Sequence, residues 1–319
     1  MSARILVGTC SWADKTLVDS GWYPAEAKTP EERLRYYAEQ FPIVEVDSTY
    51  YGLPSERNAG LWVERTPEDF MFDLKSYALF THHPTAVRSL PKDVREALPA
   101  ARQEKRNVYY SDIPSEIRDE MWQRFVDALL PLDSAGRLGT VLFQFPPWFL
   151  LGSEGREYIL EAKARLGQYT MAVEFRNNLW LSERNQERTL AFLSENGISY
   201  VCVDEPQGFR NSVPPIAAVT APIALVRMHG RNAEMWAKKG IGAAERFDYL
   251  YGEEELAEWA PRVRWLAQEA QEVHVLLNNC HQDYAVRNAR QLAGMLGAVR
   301  PSPQARREGH GTPAQERLL

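Results

Sequence analysis

"AVEFRNN", residues 172–178, has the composition of a buried β-strand apart from Glu174 and Arg176. Side chains alternate faces along a strand, so the two charges share one face while Val173 and Phe175 share the other. In a closed barrel the outer face of each strand packs on helices and must be apolar, and the other face fills the interior. The stretch therefore predicts a barrel strand with Val173 and Phe175 outward and Glu174 and Arg176 inward.

The pattern recurs. Strands are expected at 5–10, 43–49, 70–75, 140–145, 171–176, 200–205, 223–229 and 273–279. In "IVEVDST" (43–49) Val44 and Val46 are assigned outward, and Glu45, Asp47 and Thr49 inward. "FMFDLK" (70–75) sends Asp73 and Lys75 inward, and "TVLFQF" (140–145) sends Gln144. "YVCVDE" (200–205) assigns Cys202 and Asp204 to the interior, and "IALVRMH" (223–229) Arg227 and His229. The last strand ends in Asn278-Asn279.

Helical patterns separate these strands. Thr29-Pro30-Glu31-Glu32 reads as a capping box with proline at the first helical position, followed by a stripe of Leu34, Tyr37, Ala38 and Phe41. Ser182 is expected as an N-cap and Gly197 as a helix stop. Pro261 should kink or restart the pattern around Leu256 to Leu266. Ala285, Ala289, Leu292 and Leu296 stripe a last helix that ends at Gly297.

Eight alternations predict a closed parallel (β/α)8 TIM-type barrel over residues 1–300, with a doubly wound sheet as runner-up. Residues 76–137, between the third and fourth strands, read as a helical insertion of two helices. The polar, unpatterned stretch from Pro301 (301–319) is expected to be disordered.

The chain of 319 residues, 45% hydrophobic and 25% charged, can form a large core. A net charge of −6 argues against wholesale attraction to nucleic acid or anionic lipid. No apolar run approaches the roughly 20 residues that span a bilayer, and no signal peptide is evident, so a cytoplasmic protein without a membrane partner is expected. Cys10, Cys202 and Cys280 lack CxxC spacing and are read as reduced thiols. "GIGAAE" (240–245) is no dinucleotide fingerprint and GxxxxGK is absent, so no organic cofactor is obligatory.

The blocks "VGTCSW" (7–12), "GWYP" (21–24), "VEVDSTYYGLPS" (44–55), "FMFDLKS" (70–76) with "TH" (81–82), "LGTVLFQFPPWF" (138–149), "VEFRNNLW" (173–180), "VRMHGRN" (226–232) and "LLNNC" (276–280) resemble the YecE-like family, domain of unknown function 72. The resemblance spans roughly residues 4–298. It implies a TIM-type barrel, distantly similar to xylose-isomerase and endonuclease-IV-like barrels, and brings no established reaction. Leu277 departs from the aromatic residue expected before the paired asparagines.

The inward polar residues lie towards the C-terminal ends of their strands, where barrel enzymes build their sites. Lys75, Arg176 and Arg227, with Arg231 just outside, suit an anionic, phosphate- or carboxylate-bearing ligand. The loop "HGRN" (229–232), with Gly230, is a candidate phosphate loop. Glu174 is the candidate general base, with His229 or Lys75 as general acid and Glu45 beside them. Asp47, Gln144, Asp204, Asn278, Asn279, Trp12 and Tyr50 complete the candidate ligand-binding set. His82 and His83 fall in a loop after the third strand, and His274, His281 and His310 read as peripheral. Glu45, Glu174, Asp204 and His229 are also ligand types for a divalent metal, against which the neighbouring cations argue. The expected activity is acid–base chemistry on a small anionic substrate, by a hydrolase, lyase or isomerase. The alternative is a nucleic-acid-binding or phosphodiester-acting protein resembling endonuclease-IV-like barrels, with rim aromatics such as Trp22, Tyr51, Trp148 and Trp180 stacking bases.

Overall fold

The computed structural model describes residues 3–298. Its strands are β1 (Arg4–Cys10), β2 (Ile43–Val46), β3 (Met71–Lys75), β4 (Leu138–Phe145), β5 (Met171–Phe175), β6 (Ser199–Asp204), β7 (Ile223–Met228) and β8 (Glu272–Leu277). All eight are parallel and follow sequence order around a closed barrel. β8 pairs back onto β1 from Arg4↔Glu272 to Thr9↔Leu277. The tail expected from Pro301, and His310 with it, lie outside the described residues.

Around the barrel stand α1 (Pro30–Gln40), α2 (Glu56–Glu64), α3 (Ser115–Asp127), α4 (Ser153–Leu166), α5 (Gln186–Glu195), α6 (Glu253–Glu269) and α7 (Tyr284–Leu296). The capping box at Thr29 is formed, with reciprocal bonds between Thr29 and Glu32. α7 ends at Gly297 in the left-handed conformation, φ +68°, where glycine carries no Cβ penalty.

Four local expectations are corrected. Ser182 is no N-cap: a 3-10 turn, Asn178–Leu181, precedes it, and α5 starts later, at Gln186. Pro261 neither stops nor restarts its helix, since α6 runs unbroken from Glu253 to Glu269. The stretch after β3 holds more than two helices. It carries a two-stranded ribbon (Thr85–Ala86 with Asn107–Val108) and short helices Lys92–Ala97 and Ala100–Gln103 before α3. Finally, β6 and β7 are joined without a helix. Pro214, Pro215 and Pro222 remove helical donors there. The segment instead runs back along β6, where Thr220 Oγ1 accepts the Tyr200 N–H at 2.7 Å and the Cys202 thiol donates to Ala218 O at 3.6 Å.

Aromatic stacking on the outer surface fixes which way each strand faces. Trp62 of α2 stacks on Phe72 of β3, Trp122 of α3 on Phe143 of β4, and Trp180 on Phe175 of β5. Val173 pairs with Phe143 in register, and Glu174 with Gln144. The face carrying Glu174 is thus the interior, and burial of the outer aromatics, each contributing roughly 1.5–3 kcal/mol, holds it there. Strand β6 is the exception to the expected parity. Its register pairs Val203 with Arg227 and Asp204 with Met228. Arg227 points inward, so Val201 and Val203 face the interior and Cys202 and Asp204 face the helices.

Candidate site in the barrel interior

Arg227 is the centre of the interior and is fully buried. Its Nε and Nη2 donate to the two carboxylate oxygens of Glu45 at 2.8 and 2.6 Å, and Nη1 donates to Glu174 Oε2 at 2.6 Å. Both carboxylates are themselves fully buried. A fork of planar donors between two acids satisfies the guanidinium, which is the condition for such a charge to survive in the interior.

Glu174 has further partners. Oε1 accepts from Gln144 Nε2 at 2.9 Å and meets Arg176 Nε at 2.7 Å and His229 Nε2 at 3.1 Å. Burial opposes its charge, yet Arg176 and Arg227 hold its carboxyl well below the usual carboxylate range. Arg176 reaches across to Glu205, with Nη1 to Oε2 at 2.5 Å, while the other oxygen of Glu205 accepts the Val213 N–H at 2.7 Å. Burial pushes Glu205 up to about 8. His229 is pushed down to about 3 by burial and Arg176, so its ring is neutral. Asn278 Nδ2 lies 2.8 Å from His229 Nδ1, which leaves Nε2–H to face Glu174.

Nearer the mouth the pairing loosens. Lys75 Nζ lies 3.3 Å from Asp47 Oδ1 and 4.8 Å from the centre of the Tyr50 ring, and both Lys75 and Asp47 are partly exposed. Glu45 and Asp47 are hydrogen-bonded carboxyls with opposite shifts. Burial pushes Glu45 up to about 8 despite Arg227, whereas Lys75 and Arg227 overcome burial to hold Asp47 low. The pair thus holds one proton at neutral pH. Beyond Tyr50 stand His83, edge-on at 5.3 Å, and Trp148, edge-on to His83 at 5.8 Å and 55% exposed. Burial, Lys75 and Arg176 push His83 down to about 3. Thr49, expected on β2, sits in a helical turn (Ser48–Tyr51), and its hydroxyl bonds the backbone oxygens of Val46 and Lys75.

The structure brings Glu45, Asp47, Lys75, Gln144, Glu174, Arg176, Arg227, His229 and Asn278 together, with Tyr50 at the rim. It places other candidates elsewhere. Asp204 faces outward and accepts from Arg231 Nη2 (2.8 Å), the Tyr251 hydroxyl (2.7 Å) and Trp259 Nε1 (2.7 Å). Arg231 also pairs with Glu258 at 2.8 Å. The Gly230 N–H donates to the Tyr251 hydroxyl, and a Cβ at Gly230 would lie 2.7 Å from Tyr249 Cβ. The "HGRN" loop therefore makes its close approach to tyrosine, and its donors serve the shell around the barrel rather than an incoming phosphate. Asn279 donates outward to Tyr249 O and Asn288. Trp12 packs edge-on against Trp62, Trp22 against Tyr36, and Trp180 on Phe175. Tyr51 and Trp148 remain on the rim, 67% and 55% exposed. Among the described residues no group of three or more His, Cys, Asp and Glu side chains is arranged to hold a metal ion. Of the metal-ligand candidates, Glu45 and Glu174 are bridged by Arg227 and Asp204 points the other way. Cys10, Cys202 and Cys280 are free thiols.

Three residues escaped the sequence reading. Glu205, the residue after β6, replaces Asp204 as the inward acid there, and His83 stands at the mouth. His274, expected at the periphery, is fully buried low in the barrel. Its Nδ1 lies 2.9 Å from Asp73 Oδ2 and its Nε2 2.7 Å from Glu272 Oε1. Period-two alternation would have found His274 on the inner face of β8; its partner Asp73 had no local signal, being 201 residues away.

The family profile described as protein of unknown function DUF72 matches residues 6–310. The UPF0759 protein YunF of Bacillus subtilis (strain 168) is 32% identical over 296 residues, covering 92% of this chain and 94% of that protein. A solved DUF72 family protein of Enterococcus faecalis V583 superposes with a TM-score of 0.74 at 30% identity, over 92% of this chain and 95% of that one. Another, from Thermotoga maritima MSB8, gives 0.71 at 31% identity, over 92% and 99%. Among the described residues no helix is long and apolar enough to cross a membrane.

Proposed function

The chain belongs to the DUF72 family, and we propose that it is an enzyme acting by acid–base chemistry on a small anionic compound at the C-terminal mouth of the barrel. The observation that carries this reading is the contrast between the cations. Arg227 is saturated and sealed, and Arg176 is nearly so, paired with Glu174 and Glu205 and lying over the Trp236 ring at 5.0 Å. Lys75 is partly exposed and has one long contact to Asp47. It is the cation that an incoming carboxylate or phosphate meets.

Asp47 and Glu45 supply the acid–base pair. Asp47 is ionised and reachable, so it takes a proton from the bound compound. Glu45 behind it carries a proton and shares it through their hydrogen bond. A catalytic acid works best with a pKa near the operating pH, and about 8 meets that condition. Glu174 is fully buried with its oxygens enclosed by Gln144, Arg176, Arg227 and His229, so a bound compound does not reach it in the role first expected of it. It serves as the anchor that fixes Arg176, Arg227 and His229 in place. His229, a neutral ring at pH 7, positions rather than protonates.

The test is a thermal-shift screen of small carboxylates and phosphorylated metabolites, because a ligand that binds the native state raises its apparent stability. Hits should lose their shift in Lys75→Met, which keeps most of the side-chain stem and removes the charge. Hits that bind Lys75→Met as well as wild type would refute the assignment.

A further inference from the structure

A pocket of about 190 Å³ lies outside β5, between α4 and α5, and its lining includes Arg156, Arg188, Trp180, Leu151 and Phe192. We propose that this pocket is a second, separate binding site, which takes a phosphate monoester carrying a ring-sized apolar group. The phosphate meets Arg156 and Arg188, and the apolar group rests on Trp180. The site shares no residue with the mouth and does not depend on the activity proposed there.

The pocket is held open by a fixed floor. Trp180 is 1% exposed, stacks on Phe175 of β5 at 4.3 Å and donates from Nε1 to Phe149 O at 3.0 Å. Both helices are seated on it. The Thr189 hydroxyl of α5 donates to Trp180 O at 2.6 Å. α4 approaches closely because residue 155 is glycine, where a Cβ would lie 2.6 Å from Leu150 O and 3.1 Å from Trp180 Cζ2. Arg156 follows Gly155, and Arg188 precedes Thr189. The contacts that seat the two helices therefore bring both arginines to one pocket.

Charge gives the class of ligand. The lining contains two arginines and no acid. Among the described residues neither guanidinium has an ion pair or a hydrogen bond, whereas Arg165, also on α4, pairs with Asp119 and Glu161. Both arginines are exposed, so an anion reaches them without displacing a partner. Nor do they serve their own helices. Arg156 is the fourth residue of α4 and Arg188 the third of α5, and a cation near a helix N-terminus opposes the macrodipole. The other side-chain donors at the pocket are spent, since Asn185 Nδ2 bonds Leu179 O and Ser182 Oγ and the Thr189 hydroxyl bonds Trp180 O. Two guanidinium charges match the two charges of a phosphate monoester, whose oxygens accept their paired donors. A carboxylate would leave one charge unmatched. Leu151 and Phe192, both half-buried, complete the apolar part of the lining. A void of roughly 150 Å³ accepts benzene, so a single ring fits beneath the phosphate.

The experiment is calorimetry of phenyl phosphate and of inorganic phosphate with the intact Lys75→Met protein, in which the cation of the mouth is absent. Phenyl phosphate should bind roughly fivefold tighter than inorganic phosphate, from burial of the ring. Arg156→Met and Arg188→Met, added singly, should each weaken phenyl phosphate by roughly tenfold, the loss of one charge-assisted contact. Phe192→Ala should reduce the preference for phenyl phosphate and leave inorganic phosphate unchanged. Unaltered affinity in either arginine variant, or no binding by the Lys75→Met protein when wild type does bind, would overturn the site. Equal affinity for the two compounds would overturn the apolar half of the assignment, and failure of wild type to bind either compound would overturn the whole.

Discussion

His274 allows the barrel interior to be tested by stability alone. It is fully buried between Asp73 and Glu272, and Glu272 is in turn held by Arg4 Nε at 2.8 Å. Burial opposes a charged ring, but Asp73 and Glu272 outweigh it and lift His274 to about 9, against 6.5 for the ordinary side chain. A group whose pKa is raised on folding stabilises the native state fully below its unfolded pKa. That contribution declines from about pH 6.5 and is gone above about pH 9. At about 1.4 kcal/mol per unit, the shift corresponds to about 3 kcal/mol. The assay is urea unfolding at pH 6.0 and pH 9.5, comparing wild type with Asp73→Asn/His274→Gln. The double variant removes both charges and keeps an oxygen at position 73 to accept the Thr140 N–H. Because Glu45 and Glu205 are common to both proteins, the difference between the two pH dependences isolates the histidine. Wild type should lose about 3 kcal/mol more than the variant between these pH values. Identical pH dependences, or a variant that loses more, would show that His274 is neutral in the native state and refute the reasoning.

Other outcomes follow from the same geometry. Affinity for a small carboxylate should fall from pH 7 to pH 9, because Glu45 and Glu205, each at about 8, add negative charge as they ionise; titrations of Glu45→Gln/Glu205→Gln should show a flatter profile. Arg227→Met should destabilise the fold by about 3–5 kcal/mol, since it breaks the buried ion pair with Glu174 and leaves both Glu45 oxygens without their donors, and Arg227→Lys should not restore it, since an ammonium cannot make the bidentate contact; chemical denaturation reads both. Asp204→Ala should cost at least about 2 kcal/mol by orphaning the Tyr251 and Trp259 donors while leaving carboxylate affinity unchanged. A loss of affinity in that variant would place Asp204 inside the barrel after all.

Much of this architecture was legible because one face of each strand had to meet helices. In β5 and β2 the charged residues alternate with Val or Phe, so only one assignment leaves the outer face apolar. Strand β6 has no such contrast. In "YVCVDE" residues of both parities are uncharged until Asp204, and the interior at Val201 and Val203 is as apolar as the exterior. A slip of one residue then reverses every side chain, which is how Asp204 was expected inside and Glu205 was missed. The missing helix between β6 and β7 had a visible signal in Pro214, Pro215 and Pro222, but the regularity of the other connections outweighed it. No spacing rule could join Asp73 to His274, or Glu45 to Arg227, because closure of the barrel brings them together.

The interior charges are graded along the barrel axis, from saturated pairs at the bottom to an incomplete one at the mouth. At the bottom, Asp73, His274, Glu272 and Arg4 form a chain in which each histidine nitrogen faces a carboxylate oxygen. One layer up, all three Arg227 nitrogens point at carboxylate oxygens. At the mouth, Lys75 keeps a single 3.3 Å contact, and Asp47 shares its proton balance with Glu45. Saturated pairs gain nothing from a ligand, because any new partner must first displace an old one. An undersaturated pair gains the full new interaction, so a ligand entering from solvent has its largest favourable contact where the lattice is incomplete. The buried lower layers hold the Lys75–Asp47 pair in register, and their saturation keeps the barrel from relaxing inward to close it.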